Sequence, residues 1–201
     1  LKTHSSTSEY HPIRNDYSLY TAFEVMAREK FVHRIPIVSA QDSSLTNIIT
    51  QGNLLYVVNN HLSYGSIGGV LKKTLADCKE KVMKEVFCVN KDCTAFDAFE
   101  SIIDNQVSAV GIVEKDDDSQ SSGRLVGVIS VRDIKRLTGK KDLKLFEVLE
   151  DNVLDFMRVV RGEEPSKLLL TATKDSTLKY IIETMCSKHV HRIFVVNEEK
   201  C

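Results

Sequence analysis

Two His-Arg pairs, His33-Arg34 and His191-Arg192, are the residues of this 201-residue chain best suited to bind an anion such as phosphate. Arginine presents a planar fork of N–H donors, and histidine adds a donor whose charge depends on pH. A single pair of this kind often does no more than keep the start of a strand solvated. Because both pairs occupy the second and third positions of equivalent apolar runs, we favour phosphate binding over that alternative.

Ser130 and Asp133 form a second candidate site, in the segment Gly127-Val128-Ile129-Ser130-Val131-Arg132-Asp133-Ile134. A serine and a carboxylate at this spacing can cap a helix, with the serine at the N-cap and the carboxylate reaching back from the first turn. The same carboxylate can instead accept hydrogen bonds from the hydroxyl groups of a ligand. On these residues alone, the helix cap is the favoured interpretation.

Catalytic chemistry has no comparable signature in the sequence. Catalysis needs a nucleophile with a nearby base, a metal cluster or a pair of carboxylates in a cleft, and no such set occurs at a recognisable spacing. His189 and His191 point the same way if they lie on a strand, but a third zinc ligand is missing from their neighbourhood. The five cysteines lack the C-x2-C spacing of a zinc site and are expected to be reduced thiols. We therefore predict a protein that is not an enzyme and holds no metal.

The amino-acid composition limits the kinds of partner that this chain can bind. Lys plus Arg total 27 and Asp plus Glu total 28, so no strongly basic field attracts nucleic acid or anionic lipid. No apolar run is long enough to span a membrane, and the first residues are polar rather than a signal core. We expect a protein of the cytoplasm, and also of the nucleus, that binds neither nucleic acid nor membrane. The first residue is not Met and the chain stops at Cys201 after a strand-like run, so we expect a piece of a longer protein.

The elements that position these residues recur along the chain. Three segments each begin with Asp, continue with Ser or Thr two residues later, and then place five apolar residues at i, i+3, i+4, i+7 and i+8, which is typical of one face of a helix. The Ser or Thr is a natural N-cap. The three stripes are Leu19, Ala22, Phe23, Met26 and Ala27; Ala95, Ala98, Phe99, Ile102 and Ile103; and Leu178, Ile181, Ile182, Met185 and Cys186.

A short strand-like run follows each helix and sets the period. The runs begin at Val32, Val107 and Val190, which are 75 and then 83 residues apart. The first two copies continue with a second strand, 45–50 and 125–130, and a second helix. With an edge strand before each first helix, the pattern predicts a mixed α/β (α+β) fold of β-α-β-β-α repeats that pack in pairs, sheet against sheet. We place the repeats at residues 1–65, 66–140 and 141–201, the second with an N-terminal linker and the third with a helical linker.

These repeats resemble the CBS domain over nearly the whole chain. The segment 127–134 is very close to the G-[IVL]-[IVL]-[ST]-x-x-D-[IVL] signature of that family. His33-Arg34 and His191-Arg192, flanking a copy with Val107-Ser108-Ala109, look like the second, fourth and third repeats of the gamma subunit of AMP-activated protein kinase and its fungal relatives. The helical linker Thr138 to Lys167 fits the same comparison. The first repeat of that subunit is missing, and the last repeat is truncated.

The resemblance implies a binding site for AMP, ADP or ATP as regulatory ligand. In the family, the signature Asp hydrogen-bonds the ribose and the preceding Ser or Thr faces the nucleotide, which maps onto Asp133 and Ser130, with Arg132 between them. Within such a repeat, we favour ligand binding over capping. In the first repeat the equivalents are Thr50 and Asn53, and because an amide lacks the charge of a carboxylate, we expect that site to be weak or empty. The resemblance also implies that His33, Arg34, His191 and Arg192 share one phosphate pocket.

Three functions remain open on the sequence. The first is an energy-sensing subunit whose partners are protein kinase catalytic and scaffold subunits, with self-association through pairing of repeats. The second is a CBS regulatory segment of a larger enzyme, channel or transporter. The third is a scaffold that has lost nucleotide binding.

Overall fold

The computed structural model describes most of the chain. The described residues are 11–29, 32–61, 68–78, 82–115, 123–137 and 145–197. They form short helices and small sheets, which confirms the predicted mixed α/β fold class.

Strands and helices alternate along the described residues. The strands are β1 Ile13–Arg14, β2 Arg34–Val38, β3 Leu45–Thr50, β4 Cys88–Asn90, β5 Ala109–Lys115, β6 Gly123–Ser130, β7 Thr171–Ala172 and β8 Phe194–Val195. The helices are α1 Leu19–Arg28, α2 Gln51–Asn60, α3 Gly68–Leu71, α4 Ala95–Asp104, α5 Val131–Leu137, α6 Leu145–Glu150, α7 Val153–Arg161 and α8 Leu178–Ser187, with 3-10 turns at Ala76–Cys78 and Pro165–Leu168.

Each of the first two repeats folds as the predicted β-α-β-β-α unit. β1 pairs in parallel with β2, and β2 pairs antiparallel with β3. β4, β5 and β6 repeat the same order and directions. A parallel pair needs a crossover connection, which α1 and α4 provide. In the third repeat β7 and β8 pair in parallel, as an edge strand and a first strand should.

The chain divides into two compact units, Leu1–Lys73 with Thr177–Arg192 and Thr74–Ser176 with Ile193–Cys201. The third repeat therefore contributes α8 to the first unit and β7 and β8 to the second. In the first unit, α8 contacts α2. The repeat boundaries follow the sequence period rather than these units and stay a prediction.

The three predicted N-caps are confirmed. Ser18, Thr94 and Thr177 each accept a hydrogen bond from the backbone N–H of the second or third residue of the helix that follows. Each cap satisfies one of the donors that the first turn leaves unpaired. The helices therefore begin where the sequence pattern predicts.

The apolar stripes of the first helices are narrower than expected. Ala22, Ala98 and Ile102 are buried, but Ile103 is 73% exposed, Leu19 is 40% exposed and Ala27 is exposed. The five positions of each stripe share one helix face as predicted, but these three residues lie outside its buried part. The i+8 position lies about 80° around the helix from the first residue, so it falls at the edge of the stripe.

Sheet-on-sheet packing appears within the second unit. A Cβ at Gly111 of β5 would lie 3.0 Å from the sulfur of Cys88 and 3.5 Å from the ring of Phe194 in β8. The distance to Phe194 is an ordinary van der Waals contact, so β5 and β8 are packed against each other. The sheet of the second repeat thus packs against the strand of the third.

The predicted linker helix is broken into α6 and α7. Asn152 causes the break, since its side chain caps α7 by accepting from the Leu154 N–H at 2.9 Å and donates to the Lys91 carbonyl at 2.8 Å. The ring of Phe156 then packs edge-on against Phe99 of α4, with centroids 5.5 Å apart. Such a pair contributes about 0.5–1.5 kcal/mol beyond its buried area. α7 is therefore fixed against the second repeat.

Two expectations fall partly outside the described residues. The polar run at 114–123 between the two strands of the second repeat is typical of a solvated hairpin loop, with a phosphorylation switch as the alternative, and it includes 116–122. The linker includes 138–144. Neither segment belongs to the part of the chain that the structure describes.

Candidate functional site

Ser130 and Asp133 meet where β6 ends and α5 begins. The Ser130 backbone N–H and its hydroxyl both donate to Oδ2 of Asp133, at 2.9 and 2.8 Å. The carboxylate thus reaches back from the first helical turn, as the capping interpretation predicts. Asp133 is only 2% exposed, however, which is far more buried than a helix cap requires.

The burial is explained by a cation from another element, Arg161 at the end of α7. Its Nε donates to Oδ1 of Asp133 at 2.9 Å, and its Nη2 donates to Oδ2 at 2.7 Å. Nη2 also donates to the Val128 carbonyl at 2.7 Å. Nη1 of Arg136 lies 3.7 Å from Oδ1. The arrangement is a bidentate, charge-assisted pair, among the stronger interactions available to a carboxylate.

The carboxyl group of Asp133 is held in its ionised form. Burial by itself raises the pKa of a carboxyl group, because it removes the charged form from water. The hydrogen bonds and charge of Arg161, with the hydrogen bonds of Ser130, outweigh burial and hold the pKa of Asp133 below its ordinary value. Asp133 is therefore a buried carboxylate anion at neutral pH, and the cation of Arg161 compensates its charge.

Arg161 is positioned by the packing of α7. Val153, Phe156, Met157 and Val160 are buried at i, i+3, i+4 and i+7, and Arg161 follows at i+8. Gly162, with φ of 75°, ends the helix immediately afterwards. An arginine at the margin of a buried stripe can keep its stem in the core and direct its guanidinium to a partner.

Sequence reasoning missed Arg161, although one signal was present. The stripe from Val153 to Val160 indicated that its neighbour at i+8 lies at the edge of the core. The burial of Asp133, which requires a cation, became visible only in the structure. The separation of 28 positions between Asp133 and Arg161 hid their pairing, since no local rule joins them.

The first repeat builds the same turn without the charge. The Thr50 N–H and hydroxyl donate to Oδ1 of Asn53 at 2.9 and 2.7 Å, and the Asn53 N–H donates to Thr50 Oγ1 at 3.2 Å. The predicted equivalence of Asn53 with Asp133 is therefore confirmed in geometry. Asn53 is exposed and neutral, so it needs no cation.

The phosphate candidates lie at or before the starts of strands: Arg34 begins β2, whereas His191 and Arg192 lie in the connection between α8 and β8. His33 and Arg34 are exposed, and Arg34 opens β2 directly opposite Thr50. His191 is exposed and Arg192 half-buried, and both belong to the first compact unit with His33 and Arg34. A common phosphate pocket for the four residues stays a prediction.

Arg132 lies on the exposed side of α5. Its neighbour Asp133 is buried and points back to Ser130, so the two successive residues face different surroundings. Whether Arg132 contacts a ligand stays a prediction.

The described cysteines are free thiols, and they do not combine with acidic or histidine side chains in a metal-binding group. Cys78, Cys88, Cys93 and Cys186 are free. Burial, with the nearby charge of Asp97, raises the pKa of Cys93 to about 11, so this thiol is not a nucleophile at neutral pH. Among the described residues, no group of three His, Cys, Asp or Glu side chains is arranged to hold a metal ion. Within the same part of the chain, no helix combines the length and apolar character needed to cross a bilayer.

Comparison with known proteins assigns the family. The CBS domain profile matches residues 6–60 and 78–139, together more than half of the chain. The matched segments contain both Thr50–Asn53 and Ser130–Asp133. The chain belongs to the CBS domain family, whose paired domains commonly bind adenine nucleotides and serve as regulatory modules.

Curated relatives extend beyond this chain. It is 22% identical over 187 residues to protein SDS23 of Candida albicans, covering 91% of this chain and 28% of that protein. It is 21% identical over 189 residues to an SNF1-related protein kinase regulatory subunit gamma-1-like protein of Arabidopsis thaliana, covering 92% of this chain and 41% of that protein. The chain thus spans less than half the length of these relatives.

Solved structures show the same fold. Protein MJ1225 of Methanocaldococcus jannaschii, described as a candidate archaeal homologue of g-AMPK, superimposes with a TM-score of 0.64 at 20% identity, covering 96% of this chain and 62% of that one. A conserved protein of Pyrococcus horikoshii gives a TM-score of 0.61 at 15% identity, covering 95% and 72%. These similarities establish the fold.

Proposed function

We propose that the chain is an adenine-nucleotide-binding regulatory module of an AMP-activated-kinase-like complex in the cytoplasm, sensing AMP, ADP or ATP. One observation carries the proposal: an ionised Asp133 lies with Ser130 at the turn between β6 and α5, within a CBS repeat. A carboxylate at this turn can accept hydrogen bonds from both hydroxyls of a ribose when donors that now occupy it give way.

In this proposal, other residues bind the remaining parts of the nucleotide. The exposed guanidinium of Arg132 and the pairs His33-Arg34 and His191-Arg192 supply donors for phosphate. The site of the first repeat, at Thr50 and Asn53, binds weakly or not at all, because an amide gives weaker hydrogen bonds to hydroxyls than a carboxylate does.

A kinase as partner is supported by the Arabidopsis relative, a kinase regulatory subunit that matches 92% of this chain. We expect the full-length protein to co-purify with a protein kinase catalytic subunit and a scaffold subunit. Purification of the full-length protein without any kinase subunit would contradict this part of the proposal.

The pairing of Asp133 with Arg161 favours one competing function. If the carboxylate serves only to fasten α7 to the second repeat, the chain is a scaffold without nucleotide. In that case the ion pair persists whatever nucleotide is present, and the affinity for nucleotide is negligible.

Calorimetric titration of the chain with AMP, ADP, ATP and S-adenosylmethionine separates the two functions. We expect at least one adenine nucleotide to bind, and Asp133→Asn to weaken it roughly tenfold or more, because a hydrogen bond to a charged group contributes about 1.5–3 kcal/mol. Asn53→Ala, the same capping position of the first repeat, is the matched control and should leave that affinity unchanged. Circular dichroism checks that each variant is folded. No binding of any of the four ligands supports the scaffold.

A further inference from the structure

The acceptor positions of the Asp133 carboxylate are nearly all taken. An ionised carboxylate offers about four lone-pair positions, two on each oxygen. Oδ2 accepts three hydrogen bonds, two from Ser130 and one from Nη2 of Arg161, while Oδ1 accepts one from Nε of Arg161 and lies 3.7 Å from Nη1 of Arg136. A ribose that binds through both of its hydroxyls must therefore displace at least one of these donors.

We propose that Arg161 is an internal competitor for the ribose, so that nucleotide binding at Asp133 exchanges the guanidinium of Arg161 for two ribose hydroxyls and releases the end of α7. The inference rests on the proposed function and adds a mode of regulation to the same site. Each hydrogen bond lost by the carboxylate is replaced by one from the ligand.

Arg161, rather than Ser130, is the donor that leaves. The backbone N–H of Ser130 belongs to the turn that starts α5 and cannot withdraw unless that turn unwinds, and rotation of the Ser130 hydroxyl alone would still leave two donors on Oδ2. Arg161 reaches the carboxylate from a different helix through a long side chain that is 14% exposed, so it can rotate towards solvent without a change in backbone. The displaced guanidinium then stands beside the bound ligand as a free cation.

The exchange connects the site to the linker. In the unliganded chain, Arg161 joins the last turn of α7 to both Asp133 and the Val128 carbonyl. When the ligand takes Asp133 and the guanidinium turns away, this attachment loses both hydrogen bonds to Asp133 and also the one that the same Nη2 donates to the Val128 carbonyl. Because α7 follows the second repeat and precedes the strands of the third, occupancy of one repeat changes how firmly the linker is held.

Adenosine is the ligand that tests the competition between Arg161 and the ribose most directly. Removal of Arg161 frees the carboxylate but also removes a cation, which would weaken binding of a phosphate. Adenosine carries no phosphate, so it reports the first effect alone. If the ion pair between Asp133 and Arg161 is open in about one molecule in ten or fewer, the native chain binds adenosine about tenfold or more weakly than a chain in which the carboxylate is always free.

The experiment compares adenosine and AMP binding to the native chain, Arg161→Met and Arg158→Met by calorimetry. Arg158 lies one turn earlier on α7, is exposed, and pairs with Asp155 and Glu164, so its variant controls for the loss of a charge from this helix. We expect Arg161→Met to bind adenosine about tenfold or more tightly than the native chain, and Arg158→Met to match the native chain.

Two outcomes would contradict the inference in different ways. If folded Arg161→Met binds adenosine with unchanged or lower affinity while the native chain still binds AMP, the competition is overturned and the proposed function stands. Loss of AMP binding by native and variant chains alike contradicts the proposed function as well.

A measurement on the native chain guards against misfolding of Arg161→Met. The Nε–H of Arg161 donates to a buried carboxylate and should give an arginine side-chain NMR signal protected from exchange with water; Arg161→Lys, which keeps the charge, assigns it by its absence. We expect saturating AMP to abolish the protection. A signal that stays protected when AMP is bound overturns the inference.

Discussion

The first and second repeats share one turn but differ in what surrounds it. In both, a hydroxyl residue at the end of a strand donates to the side chain three residues on. In the first repeat that side chain is the exposed amide of Asn53, and in the second it is the buried carboxylate of Asp133, paired with Arg161. The sequence motif therefore determines the local geometry, whereas the helix packed beside it determines charge, burial and accessibility.

The largest expected effect comes from breaking the ion pair on one side. Arg161→Met leaves Asp133 buried and charged, with Ser130 and the more distant guanidinium of Arg136 as partners, and we expect the free energy of unfolding to fall by about 3–5 kcal/mol. Urea unfolding followed by circular dichroism measures it.

The control makes the second repeat resemble the first. In Asp133→Asn/Arg161→Met, an amide replaces the charge and an apolar side chain replaces the cation, so we expect most of the loss to be recovered, to within about 1–2 kcal/mol of the native chain. A double variant as unstable as the single one would show that α7 depends on Arg161 for packing rather than for charge.

A smaller effect should appear on acidification. Because folding lowers the pKa of Asp133 from its usual 3.8, the stability that this group contributes is complete above about pH 4. It is lost as the pH falls through the lower, folded pKa. We expect unfolding of the native chain in urea to become easier below about pH 4 by more than for Asp133→Asn/Arg161→Met.

The comparison with the double variant is needed because other groups titrate in the same range. Hydrogen bonds from Lys91 and Arg124, with their charges, lower the pKa of Glu114 to about 2. Glu114 is present in both proteins and cancels in the difference. Parallel acid profiles for the two proteins would rule out a lowered pKa at Asp133.

The smallest expected effect comes from placing a carboxylate at position 53 of the first repeat. Asn53→Asp adds a carboxylate to the first turn of α2, where the helix dipole favours it by about 0.5 kcal/mol, measurable as a small rise in the urea midpoint. If the carboxylate alone determines nucleotide affinity, this variant gains a second site in calorimetry. If the stoichiometry is unchanged, the surroundings of Asp133 are also required.

Elements and caps could be predicted from the sequence because they depend on near neighbours. Ser18, Thr94 and Thr177 cap their helices as expected, and Asn53 stands where Asp133 stands in the second repeat. Such features follow from spacings of three or four residues, which a helix brings onto one face.

Other features could not be predicted because they depend on tertiary packing. The break at Asn152 depends on a carbonyl 61 residues away, and the partner of Asp133 lies 28 residues away on α7. Ile103 fits the apolar pattern, yet it lies just beyond the edge of the buried face. Distances of this kind are determined by how elements pack, and one sequence carries no direct record of them.

The central claim is that Asp133 binds the ribose of an adenine nucleotide, and a crystal structure of the chain with AMP tests it most directly. We predict both ribose hydroxyls within about 2.6–3.2 Å of the Asp133 carboxylate, with Ser130 still donating to it and Arg161 turned away. AMP bound elsewhere, with the ion pair between Asp133 and Arg161 intact, would contradict the account.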